Sequence, residues 1–325
     1  MSTLKWEPMF SGGPALCNHV GNNIGNVIIL HGGVEKKRST EPSNAVYELN
    51  LENPSWHKID VSGSPCLSHH ASFTVTDRYL VTVGGWNGKA RTSDIYVFDY
   101  LEKQWRRPHV KGFPEGGGLS SHAVLPLVGD CVLVVGREGG LRTQRKSGNA
   151  FLLKFNADLS NFVYSAIGLG TQSRSSHTIS SVSGHVVIAG GRDHGLIEIH
   201  SSFKPKPASL PCPHNLSPII ANIEKYSQPL TKEPLCMKNH VSFTANNYLF
   251  IHGGERFDGR SKDAVCDMFI LRIDATKQLH WFQSCFDAPI ARDSHVVIQT
   301  PNDIYIHGGC GARGIVCSEL FKLSL

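Results

Sequence analysis

Tyr79–Leu80–Val81–Thr82–Val83–Gly84–Gly85 is a short apolar run that ends in paired glycines, the first of them fourteen residues after His70. The same text recurs at residues 27–33, 132–136, 186–191, 248–254 and 304–309, with Arg137 replacing the second glycine of the third copy. A histidine opens every copy, at His19, His70, His122, His177, His240 and His295. First glycines are 52, 52, 54, 63 and 55 residues apart. Self-similarity at about 50 residues marks an array of small antiparallel sheets, each a unit that cannot bury its faces alone. The expected fold is therefore all-β, a six-bladed β-propeller.

The second copy reads most clearly. Residues 70–75 suit a first strand, 76–78 a turn, 79–83 a second strand and 86–93 a polar loop. Residues 95–98 form a third strand and 104–106 open a fourth. Paired glycines at the end of the second strand point to a backbone that turns at positive φ beside a neighbouring blade. An aromatic residue recurs on the outer strand as Trp56, Trp105, Tyr164 and Trp281, positioned to bury a flat surface between blades.

The last copy stops after its third strand, residues 320–323, without a tryptophan-bearing fourth. Residues 2–10, with Leu4 and Trp6, have the missing pattern and are expected to close that blade. This predicts one domain over residues 1–325, with blades at about 11–60, 61–110, 111–165, 166–235, 236–288, and 289–325 joined by 1–10. The fourth blade is irregular, because residues 204–234 replace its outer strand. Its Pro-rich part, 205–213, reads as extended loop. Residues 217–226 read as a helix with Ser217 as N-cap, Pro218 in the first turn, and Ile219, Ile220 and Ile223 on one face. The insertion is expected to pack against the rim; docking of a partner is the other reading.

Residues 68–70 and 83–88 together carry the pattern Ser–His–His followed by Val–Gly–Gly–Trp–Asn–Gly. Residues 118–122 and 135–146 add a more unusual text around Arg137, Glu138 and Gly139. On these motifs the chain resembles the kelch-repeat superfamily over its whole length. The resemblance implies a stand-alone propeller without known catalysis, recognising proteins in ligase adaptors, actin-binding proteins or ciliary and other cytoskeletal assemblies. Kelch adaptors of cullin ligases carry a BTB domain, or an elongin-binding helix with a Leu-x-x-x-Cys core, and neither is found here. Copper radical oxidases share this kind of propeller, yet no Tyr/His/Cys constellation lies in one stretch.

Composition narrows the function further. The net charge of +5 is too small for a nucleic-acid surface without a basic stripe. No apolar run approaches a membrane span of about 20 residues, and the first residues lack a signal-peptide core. Nine cysteines without a CxxC pair argue against zinc and for reduced thiols in a cytoplasmic chain. Nine of the seventeen histidines are explained by register, as blade openers or as His31, His252 and His307 before the glycines. They are expected to hydrogen-bond blade loops rather than bind metal. Asp258, Asp263 and Asp267 lack calcium-loop spacing, and the glycines near Arg137 lack the ending of a phosphate loop. No catalytic, cofactor or metal residue is assigned.

Basic residues concentrate in the loops between second and third strands. The expected partner-binding set is Arg137, Arg142, Arg145 and Lys146, with Trp86 as apolar anchor and Arg38, Arg192 and Arg256 around it. Arginine holds carboxylates bidentately, and Arg and Trp are frequent hot spots. The sequence thus predicts a non-enzymatic scaffold, a monomeric propeller binding a protein partner with an acidic segment inside a cytoplasmic, cytoskeletal or axonemal assembly. The alternatives are a small-molecule enzyme with its site at the central channel and a substrate-recognition subunit of a ubiquitin ligase.

Overall fold

The computed structural model describes residues 3–10, 12–136, 149–169, 174–192, 197–206, 216–234, 236–257, 261–287 and 290–324. The chain divides into two compact units, Leu16–His177 and Met1–Ala15 with Thr178–Leu325.

The unit Leu16–His177 carries the first three repeats as three antiparallel meanders. The first comprises Val20–Ile24, Val27–His31, Val46–Asn50 and Trp56–Ile59, the second Ala71–Val75, Tyr79–Trp86, Arg91–Asp99 and Gln104–Arg106. The third comprises Ala123–Leu127, Cys131–Gly136, Asn149–Phe155 and Asn161–Ile167. Second strands are apolar on both faces because each lies between neighbouring sheets: Leu80, Val81, Thr82 and Val83 are all buried. Leu80 joins Ile29, Phe98 and Trp105 in one core cluster, while Val81 and Val83 join Val132, Phe151 and Tyr164 in the next. Alternate residues of one strand thus fill two inter-sheet cores. Trp105 and Tyr164 are buried as the outer-strand reading requires, and Trp56 is half-buried. Beyond the expected strands, His109–Lys111 pairs in parallel with Asn161–Val163, so the exit from the second meander covers the edge of the third.

The glycine pair is a packing requirement as well as a dihedral one. Gly84 has φ +56 and Gly85 φ +111, in the region that side chains disfavour. A Cβ on Gly84 would lie 2.8 Å from the Thr92 carbonyl oxygen and 3.2 Å from His122 Cε1 of the next repeat. A Cβ on Gly85 would lie 2.7 Å from His70 Cβ, in its own repeat. This pair therefore sits between two of the repeating histidines, as do Gly32–Gly33 between His70 and His19 and Gly253–Gly254 between His295 and His240.

Those histidines lock sheet to sheet. His177 Nε2 donates to the Val135 carbonyl at 3.0 Å. Between the first two sheets the acceptor is another imidazole, His70 Nε2 lying 3.1 Å from His31 Nδ1. His31 Nε2 is 3.1 Å from the Pro65 carbonyl, which can only accept. His31 therefore carries its hydrogen on Nε2, and its Nδ1 accepts from His70. The residue before each histidine is left-handed, with Asn18, His69, Ser121 and Ser176 at φ 54, 54, 54 and 61. Their backbones form a belt: His69 N–H donates to Asn18, Ser121 to His69 and Ser176 to Ser121, at 2.8–3.0 Å. These hydrogen bonds offset the cost of holding non-glycine residues left-handed.

The unit of Met1–Ala15 and Thr178–Leu325 carries the other three repeats. Leu4–Phe10 pairs antiparallel with Leu320–Ser324, in register Trp6 to Leu323, and so supplies the outer strand of the last repeat. Phe286–Asp287 then pairs in parallel with Leu4 and Lys5. Leu4 and Trp6 are buried in one cluster with Phe250, Ile304 and Leu323. Trp6 Nε1 donates to His252 Nε2 at 3.1 Å, which leaves His252 Nδ1 to donate to His295 Nε2 at 3.1 Å. The fourth repeat has three described strands, Thr178–Val182, His185–Ala189 and Ile197–His200.

The insertion differs from its expected form. Its helix is two short pieces, Ser217–Ala221 and Ile223–Tyr226, broken at Asn222. Leu216, not Ser217, holds the N-cap position, with no side-chain cap bond; Pro218 does sit in the first turn. Leu216, Ile219, Ile223 and Tyr226 are buried in the Leu4–Trp6 cluster, so this described part of the insertion is core. Ser227–Pro229 then pairs with Leu279–Ser284 of the fifth repeat, whose Trp281 is buried. Residues 207–215 lie outside the described residues.

Candidate functional site

In the unit Leu16–His177, two loops at the glycine end of the strands meet. Residues 86–93, expected to be a loop, are strand at both ends and leave only 87–90 as the loop: Gly85 pairs with Thr92 and Trp86 with Arg91. The signal was present in Asn87–Gly88, a favoured hairpin turn. Asn87 Oδ1 accepts the Lys89 and Ala90 N–H groups at 3.0 and 2.9 Å, which rigidifies the tip. The Trp86 backbone exchanges two hydrogen bonds with Ser68, at 2.8 and 3.0 Å.

The half-buried Trp86 indole is oriented by the other loop, its Nε1 donating to the Thr40 carbonyl at 2.9 Å. That loop turns where Ser39 N–H donates to Lys36 O at 3.0 Å, with Arg38 left-handed at φ 68. Ser39 Oγ accepts Glu41 N–H at 3.1 Å. Lys36, Arg38 and Lys89 are exposed and make no ion pair among the described residues. Arg91, half-buried, donates from Nε to Ser120 Oγ at 3.2 Å. His69 lies near Arg91, and burial first, then the Arg91 charge, pushes its imidazole down to about 4. The ring is thus neutral at physiological pH, and the face takes its positive charge from Lys and Arg alone. Tethering the indole to a neighbouring loop presents an amphipathic ring beside cations with little rotamer freedom left to lose on binding.

Structure thus joins Trp86 to the loop that carries Arg38, through the Thr40 carbonyl. Arg137, Arg142, Arg145 and Lys146 lie outside the described residues. Arg192 and Arg256 belong to the other unit, and both are exposed. Arg256 donates to Asp267 at 2.9 Å, so its charge is already paired. Asp263 is exposed and Asp258 lies outside the described residues. Arg174 and Arg292, which precede repeat histidines, are buried at 2% and 6% exposure, where the other repeats place Leu16, Leu67, Leu119 and Met237. Arg292 donates to the Gly308 carbonyl at 2.8 Å and to Glu319 at 3.1 Å, a structural use that sequence text could not separate from a surface one.

The repeat histidines are equally committed to structure. Burial holds His122 and His240 at about 4 and His252 at about 3, so none is poised for proton transfer near neutrality. No group of three or more His, Cys, Asp or Glu suited to a metal occurs among the described residues. No described helix is long and apolar enough to cross a membrane.

Repeating meanders, glycine pairs and interlocking histidines define a kelch-type β-propeller, a class of all-β interaction domains. Residues 1–194 match the KLHDC2/KLHL20/DRC7 Kelch-repeats domain, and the chain belongs to this kelch-repeat family. It is 27% identical to kelch domain-containing protein 9 of Homo sapiens over 303 residues, covering 89% of this chain and 86% of that protein. The Mus musculus protein of the same name is also 27% identical, over 98% of this chain and 94% of its own length. A flagellar outer-arm dynein alpha chain of Chlamydomonas reinhardtii is 27% identical over 59% of this chain, which is 5% of the dynein. Among solved structures, YjhT shares the fold with a TM-score of 0.66 at 14% identity, over 96% of this chain and 95% of that one.

Proposed function

We propose that the chain is a non-enzymatic recognition module that binds a protein partner through an acidic segment. The observation that carries this reading is the tethered Trp86, held between two loops whose Lys36, Arg38 and Lys89 are exposed and make no ion pair among the described residues. Carboxylates of a partner would lie against these cations while an apolar side chain covers the indole. Arg137, Arg142, Arg145, Lys146 and Arg192 are assigned to the same acidic recognition by loop position, and Arg256 in spite of its pairing with Asp267. The module is a monomeric member of a larger assembly in the cytoplasm or on the cytoskeleton. Likeness to part of a flagellar dynein chain supports an axonemal setting.

A fluorescein-labelled, glutamate-rich peptide titrated with the protein tests this by anisotropy. Binding should weaken at least tenfold in Arg38→Glu/Lys89→Glu, and weaken with salt, since exposed charges are screened beyond about 8 Å at physiological ionic strength. The fold should hold, exposed substitutions shifting stability by about 0.5 kcal/mol or less. Equal binding by wild type and double variant would overturn the assignment of this face.

A further inference from the structure

We infer that Thr40 is a phosphorylation site and that its phosphate closes the Trp86 face to acidic partners. The inference rests on the binding role proposed above, but the modification is separately observable.

Thr40 follows Lys36, Lys37 and Arg38, so cations stand two, three and four residues before it. Cations so placed pair with carboxylates that line the substrate cleft of a basophilic protein kinase. The loop delivers the hydroxyl: residues 35–45 contain no helix or strand, and Thr40 is exposed. Its hydroxyl makes no hydrogen bond among the described residues, whereas the half-buried Ser39 uses Oγ to accept Glu41 N–H at 3.1 Å. Of the two adjacent hydroxyls, only that of Thr40 is both on an exposed residue and uncommitted to a hydrogen bond among the described residues. Among the described residues, the other basic residues followed by Ser or Thr sit differently: Thr92 lies in the strand Arg91–Asp99, and Arg174 is buried before Ser175.

In the reaction Thr40 Oγ1 attacks the γ-phosphorus of a nucleoside triphosphate held by the kinase. The Oγ1–P bond forms as the bond to the β-phosphate breaks, the nucleoside diphosphate leaves with the electron pair, and the hydroxyl proton passes to the kinase's carboxylate base. The product carries about −1.5 to −2 charge at neutral pH and three acceptor oxygens. It lies on the residue whose carbonyl holds the Trp86 indole, between Arg38 and Glu41 and facing a hairpin that carries Lys89. Arg38 and Lys89 then face a bound phosphate, and an incoming carboxylate meets like charge.

The test treats the full chain with MgATP and the catalytic subunit of a cyclic-AMP-dependent kinase. Phosphate is located by mass spectrometry, and the glutamate-rich peptide is titrated before and after. Stoichiometric phosphate at Thr40, lost in Lys36→Ala/Lys37→Ala/Arg38→Ala, and a tenfold or greater loss of peptide binding are expected. Thr40→Ala should take no phosphate in this loop, and treatment with the kinase should leave its peptide binding where it stood before treatment. Phosphate on Ser39, or none on the loop, overturns the site. Phosphate on Thr40 with undiminished peptide binding overturns its role as a closing charge. If the unmodified protein does not bind the peptide, the acidic-partner reading and the closing role fail together, and the site assignment still stands or falls on the mass spectrum.

Discussion

Acid should unfold this protein well above the range in which carboxylates titrate. His31, His122 and His240 are fully buried, and burial lowers them to about 4; His252 and His307 are lowered to about 3. In the unfolded chain they titrate near 6.5. Because the folded values are depressed, the unfolded state binds more protons between pH 6.5 and 4, and stability falls as pH drops through that window. At pH 5 an unfolded histidine is almost wholly protonated and its folded counterpart is still neutral. Relative to pH 7 each site then costs about 2 kcal/mol, and the five together about 9 kcal/mol. Native domains have only about 5–15 kcal/mol in total. Protonation has no easy outlet in the fold: a second hydrogen on His31 would face the His70 N–H, and one on His252 Nε2 would face the Trp6 indole N–H. Urea titrations followed by tryptophan fluorescence at pH 7.5, 6.5, 5.5 and 5 measure the loss. Midpoints should fall steeply and the folded baseline vanish near pH 5. Asp99 and Glu319, both held below their usual range, act only at lower pH and do not confuse the window. A stability constant to within about 1 kcal/mol from pH 7.5 to 5 would refute the reasoning, since that value is half the effect of one site.

Two further outcomes test the architecture. Trp6 is 4% exposed, and Trp6→Ala should cost about 3–5 kcal/mol, the range for large aromatic truncations in cores; an unchanged urea midpoint would show that the N-terminal strand does not hold its sheet. Gly85→Val should be destabilising by more than about 2 kcal/mol, since the left-handed strain adds to a Cβ placed 2.7 Å from His70 Cβ; recovery of wild-type stability would mean that the turn relaxes freely.

Much of the fold was legible because its information is local and repeated. Short strands, turn residues and the glycine pair report on backbone conformation a few residues either side, and six copies average out the noise. The period, the histidine register and the N-terminal strand's place beside the C-terminal one followed from text alone. Other features depend on which distant residue ends up adjacent. Nothing in residues 109–111 announces a parallel partner at 161–163, and nothing in Arg292 separates a buried guanidinium on the Gly308 carbonyl from a surface charge. Arg38 and Arg256 look alike as loop arginines, and only the fold gives Asp267 to one and leaves the other without an ion pair among the described residues. Trp86 faces its neighbours because the Thr40 carbonyl, forty-six residues earlier, is within hydrogen-bond reach. Strand propensity and turn chemistry are properties of neighbours in sequence. Pairing of a charge or an indole is a property of neighbours in space, and only the tertiary structure decides it.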